Sequence, residues 1–234
     1  MREMKRLGAV GVTKIRYREE DWRLLKELRG RALKVIKPLV RACLDPVVYG
    51  SVARGDVSLS SDVDVALLHP VAPCVVEEAL RREGLEITSK EVVQATPQHA
   101  PKAYLYVLAG GEVIVSFPLV KLSEAEVNFY TFGGKIGVEG LLEGRRVPGV
   151  NKSLKVIIPI PNGHLEFPLL GNELETSKVT GIPISIIEER KRMLLRRRTC
   201  RRSGVFARMV LGPDEPIEVA VRELAIRSPL KRVE

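Results

Sequence analysis

Two short clusters in the 234-residue chain carry residue types suited to phosphate chemistry. Gly50-Ser51 follows the apolar run "PVVY", and Asp62-Val63-Asp64 leads into "VALL". Glycine lets backbone approach backbone or an anion, and a serine at the head of a short helix offers a hydroxyl together with its N–H. Residues i and i+2 of a strand point to the same face, so Asp62 and Asp64 are expected to project side by side. Neighbouring carboxylates repel unless a cation lies between them. Mg²⁺ is the natural partner, because it keeps few protein ligands and shares its other positions with phosphates and water. Arg54 adds a positive charge one turn after Ser51. The expected constellation is a triphosphate cradle (Gly50, Ser51, Arg54) beside a metal pair (Asp62, Asp64). Its chemistry is phosphoryl transfer by positioning and charge neutralisation. The competing reading is an acidic strand end beside a chance Gly-Ser.

Gly50-Ser51, ten residues, then Asp62-Val63-Asp64 resembles the GS-x10-D-x-D signature of the DNA polymerase β-type nucleotidyltransferase superfamily. "ARGD" and "SSDVD" within it are similar to the minimal nucleotidyltransferases of archaea and bacteria. The resemblance implies a mixed sheet with helices packed on it. It also implies Mg²⁺-dependent transfer of a nucleoside monophosphate from a nucleoside triphosphate to a hydroxyl. Gly50 and Ser51 would then hold the β- and γ-phosphates, and Asp62 and Asp64 the metal.

The same resemblance implies a third carboxylate on a later strand, here "EVIVSFP" (112–118). The centre of that strand carries no acid. Glu112 is the only candidate, and it shares a face with Ile114 and Ser116. The family pattern would place the acid at Val113 or Val115, and a bulge at Gly110-Gly111 would shift the register. Two functional readings follow. One is an active nucleotidyltransferase with an unidentified hydroxyl acceptor. The other is a catalytically weak protein of that fold, acting as a nucleic-acid-binding or regulatory module.

The elements that must position these residues are readable from periodicity. Trp22, Leu25, Leu28, Leu33, Ile36, Leu39 and Val40 recur at helical spacing over 20–43, with Pro38 expected to kink or end the helix. "VVY" and "VALL" read as strands on either side of the Gly-Ser and Asp-Val-Asp clusters. A helix is expected over 73–82. Strands follow at 91–95, 103–109 and 112–117, the last two joined by the Gly110-Gly111 hairpin. Ser123-x-x-Glu126 is a capping box that starts a short helix. The Gly-rich 132–150 reads as a connection. The chain is therefore expected to be α/β (α+β), with a nucleotidyltransferase core over 1–150 and a smaller basic unit over 151–234.

That second unit holds a hairpin around "PNG" and two helices over 173–198 divided by Gly181-Ile182-Pro183. Ser177, Gly181, Ile182 and Ile187 fit a helix-turn-helix. The second helix carries Arg190, Lys191, Arg192, Arg196, Arg197 and Arg198. Arg192, Arg196 and Arg197 are the expected contacts to RNA or DNA phosphates. A net charge of +9 agrees with an anionic partner. The aromatic residues are few and scattered, which argues against a base-stacking platform. His69, His99 and His164 have no paired-ligand spacing. Cys43, Cys74 and Cys200 make neither a disulfide framework nor a metal pair. No apolar run reaches a membrane span and no signal segment is evident, so a soluble cytoplasmic protein without a membrane partner is expected. Few Asn and Gln among many charges point to a thermophilic source.

Overall fold

The computed structural model describes residues 8, 10–199 and 205–227. They divide into two compact units. Unit 1 takes the described residues of Met1–Leu28, Val48–Ser61 and Val127–Ser203, and unit 2 those of Arg29–Val47, Asp62–Glu126 and Gly204–Glu234.

Helix α1 (Glu19–Arg41) begins in unit 1 and ends in unit 2. Acids fill its first turn and Arg41 its last, in accord with the helix dipole. Leu25, Leu28, Ala32, Val35, Ile36 and Leu39 make its buried stripe. The helix continues for three residues past Pro38, so the proline does not end it. Strand β2 (Pro46–Tyr49) crosses back into unit 1 and leads into the one-turn helix α2 (Ser51–Arg54).

In unit 2, β3 (Asp64–Leu67) is followed by α3 (Pro73–Arg81), β4 (Glu86–Gln94), β5 (Lys102–Leu108) and β6 (Glu112–Pro118). The strand order there is β11-β4-β5-β6-β3, where β11 is Ala207–Leu211. β3 runs parallel to β6, and the remaining neighbours are antiparallel. The chain is thus a mixed α/β protein with a mixed-orientation sheet flanked by helices. One face is apolar: Val92, Ala103, Leu105, Val107, Val113, Val115 and Phe117 are buried. Lys90 lies on this face and donates to Glu77 of α3 at 3.1 Å, which locates α3 there. Helix α8 (Ile217–Arg227) contributes buried Ile217 and Ala220.

Unit 1 holds a four-stranded antiparallel sheet in the order β1-β10-β9-β8. Its strands are β1 (Thr13–Arg16), β8 (Gly149–Val150), β9 (Lys155–Ile160) and β10 (Gly163–Pro168). Helices α6 (Glu173–Thr180) and α7 (Ile184–Thr199) follow, and Ile182 from the link between them and Ile187 of α7 pack with Phe132, Val156, Phe167 and Leu169. Thr176 is fully buried here because its hydroxyl donates to Asn172 O at 2.8 Å, which removes the cost of a polar group in the core.

The stretch 132–150 is not a bare connection. After α4 (Glu124–Gly133) it forms β7 (Lys135–Gly137), α5 (Val138–Leu142) and β8. No helix among the described residues is long and apolar enough to cross a membrane.

Candidate functional site

The Gly-Ser half of the motif belongs to unit 1. Gly50 holds φ 80° and ψ −148°, a conformation that side-chain-bearing residues avoid. That conformation turns the chain from β2 directly into α2, leaving Ser51 half-buried at its start. Gly50 N–H donates to Gly134 O at 2.9 Å. Gly134 has φ +81°, and a Cβ on it would stand 2.7 Å from Arg54 Cγ and 3.0 Å from Pro148 O. A Cβ on Gly149 would meet the Gly134 backbone at 2.6 Å. Gly134 and Gly149 are therefore where backbones close around the α2 turn.

Arg54 lies at the end of α2 and is 5% exposed. Its Nε and Nη2 donate to the two Asp56 carboxylate oxygens at 2.9 and 3.0 Å, and Nη1 donates to Gly133 O at 2.5 Å. The guanidinium thus braces the turn from within, where the sequence reading had it reaching phosphate. A second brace comes from Arg146. It donates to Gly163 O at 2.8 Å and Ile160 O at 2.5 Å, and its guanidinium carbon lies 4.8 Å from the Trp22 ring centroid. Arg146 also packs its stem against Gly55, the residue that ends α2 with φ 101°. Tyr17 and His164 complete this cluster, their Oη and Nδ1 being 2.8 Å apart. Burial, then the Asp56 charge, pushes the Tyr17 hydroxyl up to about 12. Burial lowers the His164 imidazole below its usual value.

The aspartate half belongs to unit 2. Val63 and Val65 are 1% and 0% exposed, while Asp62 is exposed and Asp64 half-buried. Asp64 opens β3 on the side opposite buried Val65, and Asp62 lies two residues before the strand. Two hard oxygen donors, one of them open to water, suit an ion that retains several of its waters, and the pair fits Mg²⁺ by its donor chemistry. Among the described residues no three His, Cys, Asp or Glu side chains gather as a metal group.

The neighbouring strand is fixed in register: Asp64 lies opposite Ile114 and Ala66 opposite Ser116. The β5–β6 ladder is unbroken from Lys102/Pro118 to Leu108/Glu112, so no bulge at Gly110-Gly111 shifts it. Glu112 is then on the Asp64 face, at the exposed hairpin end, whereas Val113 and Val115 are buried on the other face. Ser116 is buried and donates to Val65 O at 3.4 Å.

Two residues on that face were not singled out from the sequence. Tyr104 lies opposite Ser116, and Tyr106 opposite Ile114. Burial first, then the charge of Asp64, pushes the Tyr104 hydroxyl up to about 12. The alternation in "AYLYVLA" was the available signal.

On α7, Arg190 is occupied by the Phe129 ring, 4.4 Å from its guanidinium carbon, and Lys191 pairs with Glu173 and Glu188. Arg192 and Arg196 are exposed; the Arg197 and Arg198 side chains lie outside the described residues, as does Cys200.

No family model, curated protein or solved structure matches the chain.

Proposed function

We propose that the protein is a Mg²⁺-dependent nucleotidyltransferase, transferring a nucleoside monophosphate from a nucleoside triphosphate to a hydroxyl acceptor. One observation carries this reading most: Asp64 opens β3, Asp62 lies two residues before it with buried Val63 between them, and the pair follows Gly50-Ser51 at the superfamily's spacing. In this reading Ser51 and the N–H groups beginning α2 hold phosphate oxygens. Asp62 and Asp64 hold Mg²⁺, which when bound neutralises phosphate charge. Arg54 is assigned to bracing the turn through Asp56 and Gly133. The acceptor oxygen bonds to the α-phosphorus as the bond to pyrophosphate breaks, and the hydroxyl proton leaves to water. Exposed Arg192 and Arg196 on α7 favour a nucleic-acid partner. The alternative, a catalytically weak module of the same fold, shares these binding properties and lacks turnover.

The test is nucleotide binding with and without Mg²⁺, followed by incubation of each labelled nucleoside triphosphate with cell extract. Asp62→Asn with Asp64→Asn is expected to abolish the Mg²⁺-dependent part of binding, measured by titration calorimetry, while leaving the thermal melt in place. A double variant that binds nucleotide and Mg²⁺ like the parent overturns the assignment.

A further inference from the structure

The sheet face of unit 2 opposite the buried apolar residues has an order that strand register makes explicit. One row across it reads Asp64, Ile114, Tyr106, Ser89, and the next Ala66, Ser116, Tyr104, Glu91, Val210. A third reads Pro118, Lys102, Val93, Arg208. Ile114, Tyr104 and Tyr106 are half-buried and Val210 is 62% exposed, while Ala66, Ser116 and Pro118 on the same face are buried. Neighbouring strands lie about 4.8 Å apart, so the tyrosines stand two strands, roughly 10 Å, from Asp64. Ile114 lies between Tyr106 and Asp64. Successive same-face residues are about 7 Å apart, which places two rings side by side on one strand. Lys102 follows them, and Arg208 pairs with Glu91 at 2.5 Å.

We propose that this face is the acceptor platform, on which the end of a single-stranded nucleic acid stacks bases on Tyr104 and Tyr106 and lays its terminal hydroxyl across Ile114 towards Asp64. The rings supply sequence-tolerant stacking, since every base has a π-face. Lys102 and the net charge of +9 suit the strand's phosphates. The scattered aromatics of the sequence become a platform here because strict alternation along β5 brings two of them onto one face. The proposal rests on the nucleotidyltransferase reading for its orientation towards Asp64, and its test is independent of that reading.

The test is fluorescence anisotropy of a short labelled oligoribonucleotide, in EDTA and without nucleoside triphosphate. Tyr104→Leu and Tyr106→Leu are each expected to weaken binding about 5- to 100-fold, the range for loss of one stacked base. Tyr104→Phe and Tyr106→Phe keep the ring and are expected to bind within about twofold of the parent. This binding is measured in EDTA, and nucleotide binding by the parent with and without Mg²⁺ reads out the metal assignment separately. A parent that does not bind, Leu variants that bind like the parent, or Phe variants as weak as the Leu variants would overturn the platform. So would Leu variants that lose affinity for nucleoside triphosphate alone, because the rings would then serve the donor. If the Leu variants melt early, a 4-thiouridine oligonucleotide photo-crosslinked to the parent decides. Adducts on Tyr104 or Tyr106 support the proposal, and adducts only elsewhere sink it.

Discussion

Arg54 and Asp56 are both largely withdrawn from water, with side chains 6% and 11% exposed. A buried guanidinium and carboxylate in bidentate contact offset each other's desolvation, but removing one strands the other. Arg54→Met keeps most of the buried stem and deletes the charge, leaving Asp56 and Gly133 O without those donors. The expected loss is about 3 kcal/mol or more, read as a lower midpoint in urea unfolding at unchanged slope. Equal stability in the variant would show that the pair does not hold the turn. This role was only half legible in the sequence. Arg54 and Asp56 sit two residues apart in "ARGD", but their burial depends on Gly133 and Pro148, some eighty and more positions along the chain. By contrast, the alternation of buried Val63 and Val65 with the less buried Asp62 and Asp64 follows from local periodicity.

At the scale of elements, local signals carried well where the physics is local. The Ser123–Glu126 box caps α4 reciprocally, with Ser123 N to Glu126 Oε2 at 3.0 Å and Glu126 N to Ser123 Oγ at 3.4 Å. Both hairpins and the α6–α7 break at Gly181 also follow from residues at the turn itself. Strand β1 was not legible, because "TKIR" is mostly exposed and becomes a strand only by pairing with β10 some 150 residues later. The basic helix α7 was legible as a helix, yet its charge was overcounted. Arg190 lies on Phe129 and Lys191 is paired, while Arg192 and Arg196, one turn apart, are exposed. If this face neutralises phosphates, Arg192→Gln with Arg196→Gln should flatten the slope of log affinity against log salt by about two units, at roughly 0.9 per contact on duplex DNA. Filter binding at several salt concentrations measures it, and an unchanged slope would leave α7 as a solvated face.

For the whole molecule, the two units are interleaved along the chain. It passes between them at Leu28–Arg29, Val47–Val48, Ser61–Asp62 and Glu126–Val127, and again after α7. The sequence reading divided the chain near residue 150, because composition and turn signals vary along the chain and are blind to partners far away in it. The pairings that cross that point have consequences for folding. A fragment of residues 1–150 would keep β1 and lose β10, its partner in unit 1. It would keep Phe132 and Val150 and lose Val156, Phe167, Leu169, Ile182 and Ile187 from the same cluster. In unit 2 it would lose β11 from the edge of β4, together with buried Ile217 and Ala220. Each large core side chain removed costs about 2–5 kcal/mol, against a typical total of about 5–15 kcal/mol. The fragment is therefore expected to show no cooperative melt by circular dichroism, and co-expression with residues 151–234 is expected to restore one through β1–β10 pairing. A fragment 1–150 that alone melts cooperatively near the temperature of the full chain would show that these pairings contribute little and that the chain folds in consecutive pieces.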